Sequence, residues 1–155
     1  MAVQTLDAPL PLYETDETAW LEHSAELIRS GRFEELDGPQ LAEYLTDMAI
    51  SERREVKSRL AVLLMHLLKW QFQPEGRSGS WMSTIIGQQS ELADLFESGT
   101  LYNHAESVLG DAYARAVKQA AAETKLPQKS FPAECPWDLE TMLIDPVIDE
   151  QTAGG

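Results

Sequence analysis

The sequence is poor in cysteine, in basic residues and in long apolar runs, and each shortage excludes a class of protein. The single cysteine, Cys135, excludes an internal disulfide framework. No apolar run approaches the roughly 20 residues that a membrane-spanning helix needs. The first residues carry neither the cationic stretch nor the apolar stretch of an export signal. We therefore expect a cytoplasmic protein with no membrane partner.

Basic residues number 12 against 26 acidic ones, which gives a formal net charge of −14. This sign disfavours nucleic acid as a partner, because nucleic-acid binding requires a cationic surface. The charge is uneven: residues 1–50 hold 11 acids and 2 bases, whereas residues 51–81 hold 3 acids and 6 bases. This basic island must face acids of its own fold or bind something anionic. We expect the acidic N-terminal helices to supply its internal partner.

Apolar residues recur with helical spacing along the chain, and no segment shows strand-like alternation. Capping residues mark the predicted helix starts at Thr15 or Asp16, at Asp37, at Ser80 and at Asp138. From Val56 to Phe72 the helical wheel is apolar on nearly every side, which is typical of a buried central helix. We expect a break or kink near Ser51, where charged residues interrupt the apolar stripe, and a soft point at Gly110.

These patterns predict an all-α fold: a single-domain helical bundle of about five to seven helices around a central buried helix at about residues 52–72. A chain of 155 residues is long enough to bury a core without disulfides or metals. Residues 12–144 are expected to form the domain. Residues 1–11 are expected to be a flexible N-terminus, and residues 145–155 an acidic flexible tail.

The candidate ligand-binding residues lie in and just after the central helix. They are two tryptophans and four nitrogen-rich side chains, Arg59, His66, Lys69, Trp70, Arg77 and Trp81. His66 neighbours Arg59 and Lys69 on the helical wheel and offers an imidazole for general base catalysis. The alternative is a histidine at the margin of the core that bonds a neighbouring part of the chain. We favour the alternative, because sequence spacing ties no Ser, Cys or carboxylate to His66.

Two further features of the basic island admit two interpretations each. Trp70, Arg77 and Trp81 surround a Pro/Gly/Ser loop and could form a cation–π clasp or a flat platform for a ligand. The run SERREVKSR could be an anion-binding patch or a solvated helix face in which Glu55 attracts Arg59. We favour packing for the aromatic cluster and pairing within the molecule for the charged run.

Metal and thiol chemistry have little support in the residue spacing. His23, His66 and His104 lie about forty residues apart and form no metal-binding motif. We therefore predict no metal and no cofactor. Cys135 follows Glu134, and a neighbouring carboxylate raises the pKa of a thiol. We expect Cys135 to be a small packed side chain rather than a nucleophile.

Three blocks of the sequence span about residues 12–143. They are LYETDETAWLEHSAELIRSGRFEELD, SERREVKSRLAVLLMHLLKWQFQPEGRSGSW and AAAETKLPQKSFPAECPWDLETML. In order and spacing they resemble the bacterial family catalogued as domain of unknown function 29. The segment GPQLAEYLTDMAI departs from the family pattern, which tends to be richer there in Glu and Ile. The resemblance implies an all-helical fold and no established activity, so no catalytic residue is carried over.

Three classes of function are compatible with these observations. The first, which we favour, is a non-catalytic helical module that binds a protein partner or forms a homodimer, since surface charge steers oppositely charged partners. The second is a small anionic-ligand or nucleotide-binding protein that uses the basic island at 53–77. The third is an enzyme with His66 as its base, which additionally requires a carboxylate or nucleophile within hydrogen-bond reach.

Overall fold

The structure, a computed structural model, describes residues 11–144, and these contain no β-strand. The described residues form six α-helices: α1 (Leu12–Thr15), α2 (Glu17–Arg29), α3 (Gly38–Phe72), α4 (Gly79–Leu95), α5 (Gly99–Thr124) and α6 (Leu139–Met142). Short 3-10 turns lie at Phe33–Glu35, Pro74–Gly76 and Gln128–Ser130. The predicted all-α class and the predicted number of helices are confirmed. The predictions for residues 1–10 and for the tail at 145–155 lie outside the described residues.

The described residues divide into two compact units at the junction between Asp47 and Met48, and α3 begins in the first unit and ends in the second. α3 is one continuous helix of 35 residues, so the break predicted near Ser51 is absent. The charged residues there interrupt the apolar stripe, but Glu, Arg and Lys are good helix formers and do not end a helix. α5 likewise continues through Gly110. The predicted domain boundaries stay a prediction.

The first unit is built on α2. Asp16, one of the two caps predicted here, accepts a hydrogen bond from the backbone N–H of Ala19 at 3.1 Å. Trp20 is buried and packs edge-on against Tyr13 and Tyr44, each with ring centroids 5.8 Å apart. Leu45, on the early part of α3, is exposed.

The main apolar core lies in the second unit and surrounds the later part of α3. Its fully buried α3 side chains are Val56, Leu60, Leu63, Leu64 and Leu68. They pack with Ile85 and Leu92 of α4 and with a row of alanines on α5. These alanines are Ala105, Ala112, Ala116 and Ala120. Small side chains on α5 let its backbone approach the larger residues of α3. The prediction of a buried central helix is confirmed.

The end of the described chain closes one side of this core. Asp138 caps α6 through a 2.7 Å hydrogen bond from the backbone N–H of Thr141, as predicted. Met142 is fully buried, and its carbonyl accepts a 3.0 Å bond from Nε2 of the buried Gln89 on α4. α6 therefore contributes to the same core as α4. In the part of the chain that the structure describes, no helix is both long and apolar enough to cross a bilayer.

Candidate functional site

Trp70, Arg77 and Trp81 lie at the corner between α3 and α4, where the sequence predicted an aromatic cluster. The guanidinium carbon of Arg77 is 5.2 Å from the centroid of the Trp70 ring, and its Nε donates to the Trp70 carbonyl at 2.8 Å. That carbonyl has no helical donor, because the residue four positions later is Pro74. Arg77 therefore holds the corner by capping the end of α3, a structural contact.

Lys69 is buried on α3, which is unusual for a lysine. Only 7% of the residue is exposed, and its Nζ donates to Oε2 of Glu123 on α5 at 2.5 Å. The same ammonium lies 4.4 Å from the centroid of the Trp81 ring. The clasp therefore involves two cation–π pairs, Arg77 with Trp70 and Lys69 with Trp81.

Arg59 connects α3 to α4 through several polar contacts. Its Nε donates to Glu55 at 2.8 Å, which confirms the predicted pair. Its Nη atoms lie 3.2 Å from the Gln88 amide oxygen and 3.8 Å from a carboxylate oxygen of Glu91. The expectation that the N-terminal helices neutralise the basic island is wrong for Arg59 and Lys69, because their carboxylate partners are on α3 itself, α4 and α5.

His66 is half-buried and forms a hydrogen bond within its own helix. Its Nδ1 is 2.9 Å from the carbonyl oxygen of Val62. A carbonyl can only accept, so Nδ1 carries the proton in this bond. Within residues 11–144, no Ser, Cys or carboxylate side chain shares a hydrogen bond with the imidazole. The role of His66 as a general base stays a prediction.

Among residues 11–144, the polar contacts of the predicted basic residues go to different elements. Arg59 contacts α4, Lys69 contacts α5, and Arg77 caps α3. Their joint effect is to hold three helices together, with aromatic rings filling the corner. Their assignment as ligand-binding residues stays a prediction, and the contacts above show which groups a ligand would have to compete with.

A substitution at Gly76 tests how closely the side chains pack at the corner between α3 and α4. A Cβ atom at Gly76 would lie 2.7 Å from Cη2 of Trp81, whereas a Cβ at Gly87 in α4 would meet nothing within 4 Å. We expect Gly76→Ala to lower the free energy of unfolding by about 1 to 2 kcal/mol, because the indole over Lys69 must move. Gly87→Ala should raise it by about 0.5 to 1 kcal/mol through helix propensity. Urea denaturation measures both, and a stabilising Gly76→Ala contradicts the described packing.

A second feature, which we call the α3–α5 groove, lies outside the predicted set. This groove of about 260 Å³ is lined by Ile50, Arg53, Arg54 and Lys57 of α3 and by His104 and Val108 of α5. Considering all side chains in residues 11–144, no carboxylate lies within 4.0 Å of the three cationic groups. The basic run SERREVKSR was recognised in the sequence as a possible anion-binding patch. The sequence alone does not show which of its basic side chains pair with carboxylates of the same chain.

A larger cavity, which we call the Cys135 pocket, lies between α5 and residues 128–135. Its volume is about 670 Å³, and its apolar wall includes Tyr113, Val117 and Phe131. The hydroxyl of Tyr113 donates to the Pro132 carbonyl at 2.5 Å, and burial raises the pKa of Tyr113 to about 12. The tyrosine is therefore a fixed neutral donor. No sequence motif marked this pocket, because an irregular segment forms one of its sides.

The thiol of Cys135 lines the same pocket and is held in its neutral form. Its Sγ donates to the Trp137 carbonyl at 3.2 Å. Burial raises the pKa of the Cys135 thiol, and the charge of Asp138 adds to the rise. The predicted direction is confirmed, but burial rather than Glu134 is its main cause. Cys135 is therefore a packed thiol in this structure.

The candidate metal ligands in residues 11–144 are dispersed. No group of three or more His, Cys, Asp or Glu side chains in the described part of the chain is arranged to hold a metal ion. His104 lies in the α3–α5 groove beside arginine and lysine rather than beside other metal ligands.

Fold and side-chain contacts together define an all-helical protein in which the conspicuous aromatic and charged residues mainly join its own helices. Residues 12–146 match the family described as Domain of unknown function DUF29, and the chain belongs to this family. The resemblance of the three sequence blocks is thereby confirmed. No curated protein and no solved structure matches the chain.

Proposed function

We propose that the chain is a non-catalytic, cytoplasmic helical module that binds an acidic segment of a protein partner in the α3–α5 groove. A contrast among the basic side chains of α3 carries this proposal. Arg59 and Lys69 are paired with carboxylates, whereas Arg53 and Lys57 have none within 4.0 Å among residues 11–144. The α3–α5 groove thus brings together Arg53, Arg54 and Lys57, which have no carboxylate partner in residues 11–144, in a protein whose net charge is −14.

The spacing of the groove residues supports an extended, multiply charged partner. Arg53 and Lys57 lie one turn apart, which separates them by about 6 Å along the axis of α3. This spread suits several carboxylates along a chain better than one compact anion. Ile50, which is 42% exposed, and Val108 add apolar surface beside the charges. A segment in which acidic and aliphatic residues alternate therefore complements the groove.

The size of the groove also favours a protein segment over a nucleotide. Its volume of about 260 Å³ is below the range of about 300 to 1,000 Å³ that is common for small-molecule sites. A peptide does not need to be enclosed, because it gains contacts along its length. Concave apolar walls additionally strengthen the field of the cations toward an approaching acidic segment.

Removing two groove charges should weaken binding of an acidic, aliphatic peptide. In the double variant Arg53→Gln with Lys57→Gln, we expect about fivefold to tenfold lower affinity for a fluorescein-labelled peptide of alternating aspartate and valine, because two accessible ion pairs are lost. Fluorescence anisotropy at low ionic strength measures the affinity, and added salt should reduce the difference between the proteins.

The matched control is Arg115→Gln with Lys118→Gln, which removes the same charge from exposed positions of α5 outside the groove. Its affinity should change by less than about twofold. Equal losses in both variants would contradict a role for the groove. A peptide with serine in place of valine that binds equally well would contradict the apolar contact. Displacement of the peptide by AMP, but not by sulfate at equal ionic strength, would favour a nucleotide site instead.

A further inference from the structure

The Cys135 pocket has the size and the lining of a small-molecule site, independently of the α3–α5 groove. Its volume of about 670 Å³ lies within the usual range for such sites of about 300 to 1,000 Å³. The rings of Tyr113 and Phe131 and the side chain of Val117 give it an apolar wall. The small exposed residue Ala114 on α5 leaves the pocket open on one side. An elongated apolar group fits between the helix and the segment that faces it.

Several hydrogen-bond donors of the residues that line this pocket have no partner among residues 11–144. Lys129 has no carboxylate within 4.0 Å among residues 11–144. Within the same range, the backbone N–H groups of Ala133, Glu134 and Cys135 have no protein acceptor. The hydroxyl of Tyr113 and the thiol already donate to carbonyls. The carboxylate of Glu134 is the one charged acceptor in the lining, and it is exposed.

The geometry points to the Cys135 pocket as a binding site for a small molecule that has an aliphatic chain and a carboxylate. The chain lies against Tyr113, Val117 and Phe131, where it replaces water on apolar surface. The carboxylate accepts from Lys129 and from the backbone amides at 133–135, which have no acceptor among residues 11–144. A protonated amine of the same length cannot accept hydrogen bonds from these donors, and the positive charge of Lys129 repels it.

Octanoate is a direct probe of this site, and octylamine is its charge-reversed counterpart. We expect octanoate to produce saturable chemical-shift changes in the backbone amides of Ala114, Ala133 and Cys135 in 1H–15N spectra of the full chain. It should also slow alkylation of Cys135 by iodoacetamide, which intact mass reports without ambiguity because the chain has one cysteine. Octylamine should do neither.

Three variants locate the ligand. Ala114→Leu should abolish the shifts by filling the open side, whereas Ala122→Leu, an equal change at an exposed position of α5 outside the pocket, should retain them. Lys129→Gln changes no packed residue and should weaken octanoate about twofold to fivefold. Binding that survives Ala114→Leu, or that octylamine shares, overturns the proposal, as does the absence of saturable shifts with octanoate.

Discussion

Replacing Leu64 with alanine should lower the free energy of unfolding by about 2 to 5 kcal/mol, because it removes buried methyl groups and leaves a cavity. Leu64 is fully buried on α3 and belongs to the cluster that joins α3, α4 and α5. Dense packing on all sides limits how far its neighbours can move into the space. Urea denaturation followed by circular dichroism gives the change from the midpoint and the slope.

His66→Ala is the matched control for this experiment, because it lies on the same helix two positions later. Its imidazole is half-buried and its hydrogen bond goes to the carbonyl of Val62, which is already within the helix. We expect His66→Ala to lower the free energy of unfolding by less than about 1 kcal/mol. A His66→Ala variant that loses as much stability as Leu64→Ala would place the histidine in the core. A Leu64→Ala variant that unfolds like the unsubstituted chain would show that α3 is peripheral.

The later part of α3 was predictable because its sequence leaves few alternatives. Leu60, Leu64 and Leu68 repeat at helical spacing, and apolar residues occupy the other sides as well. Burial of such a helix follows from the hydrophobic effect alone and needs no knowledge of its neighbours. The caps at Asp16 and Asp138 were predictable for a similar reason, since each depends on residues within one turn. Ser78, rather than the predicted Ser80, caps α4, an error of the size that helix ends commonly show.

The partners of charged residues were not predictable, because they come from distant parts of the sequence. Lys69 pairs with Glu123, 54 residues later, and the helical wheel of α3 cannot show a contact with another helix. The basic run around Arg53 was recognised, yet only the arrangement of α4 and α5 decides that Arg59 is paired and that Arg53 and Lys57 are not. Local patterns thus predict burial, while the tertiary fold decides which cations are available to a partner.

Both cavities were missed for a related physical reason. The α3–α5 groove needs His104 and Val108 beside residues that lie about fifty positions earlier, and only helix packing creates that neighbourhood. The Cys135 pocket depends on the path of an irregular segment from Gln128 onward, whose conformation has no periodic signal. The sequence shows which side chains are present, but it does not show which of them lie side by side in the fold.

Lys69→Ala should lower the free energy of unfolding by about 2 to 4 kcal/mol, since it removes a buried stem and a charged group that joins α3 to α5. Lys69→Met and Glu123→Gln separate the two contributions. Methionine keeps the apolar stem and leaves Glu123, whose side chain is 50% exposed, in contact with water. We therefore expect Lys69→Met to be less destabilising than Glu123→Gln.

The physical reason for this order is that Glu123→Gln leaves the buried ammonium of Lys69 without its carboxylate. The remaining partner is the Trp81 ring, 4.4 Å from Nζ, and one aromatic face only partly replaces an ion pair. We therefore expect Glu123→Gln to lower the free energy of unfolding by about 1 to 3 kcal/mol. This is less than for a fully buried ion pair, because water reaches Glu123. Urea denaturation of the three variants measures the order. If Glu123→Gln is neutral while Lys69→Met is strongly destabilising, the ammonium is stabilised by the indole rather than by the carboxylate, and the Lys69–Glu123 contact does not join α3 to α5.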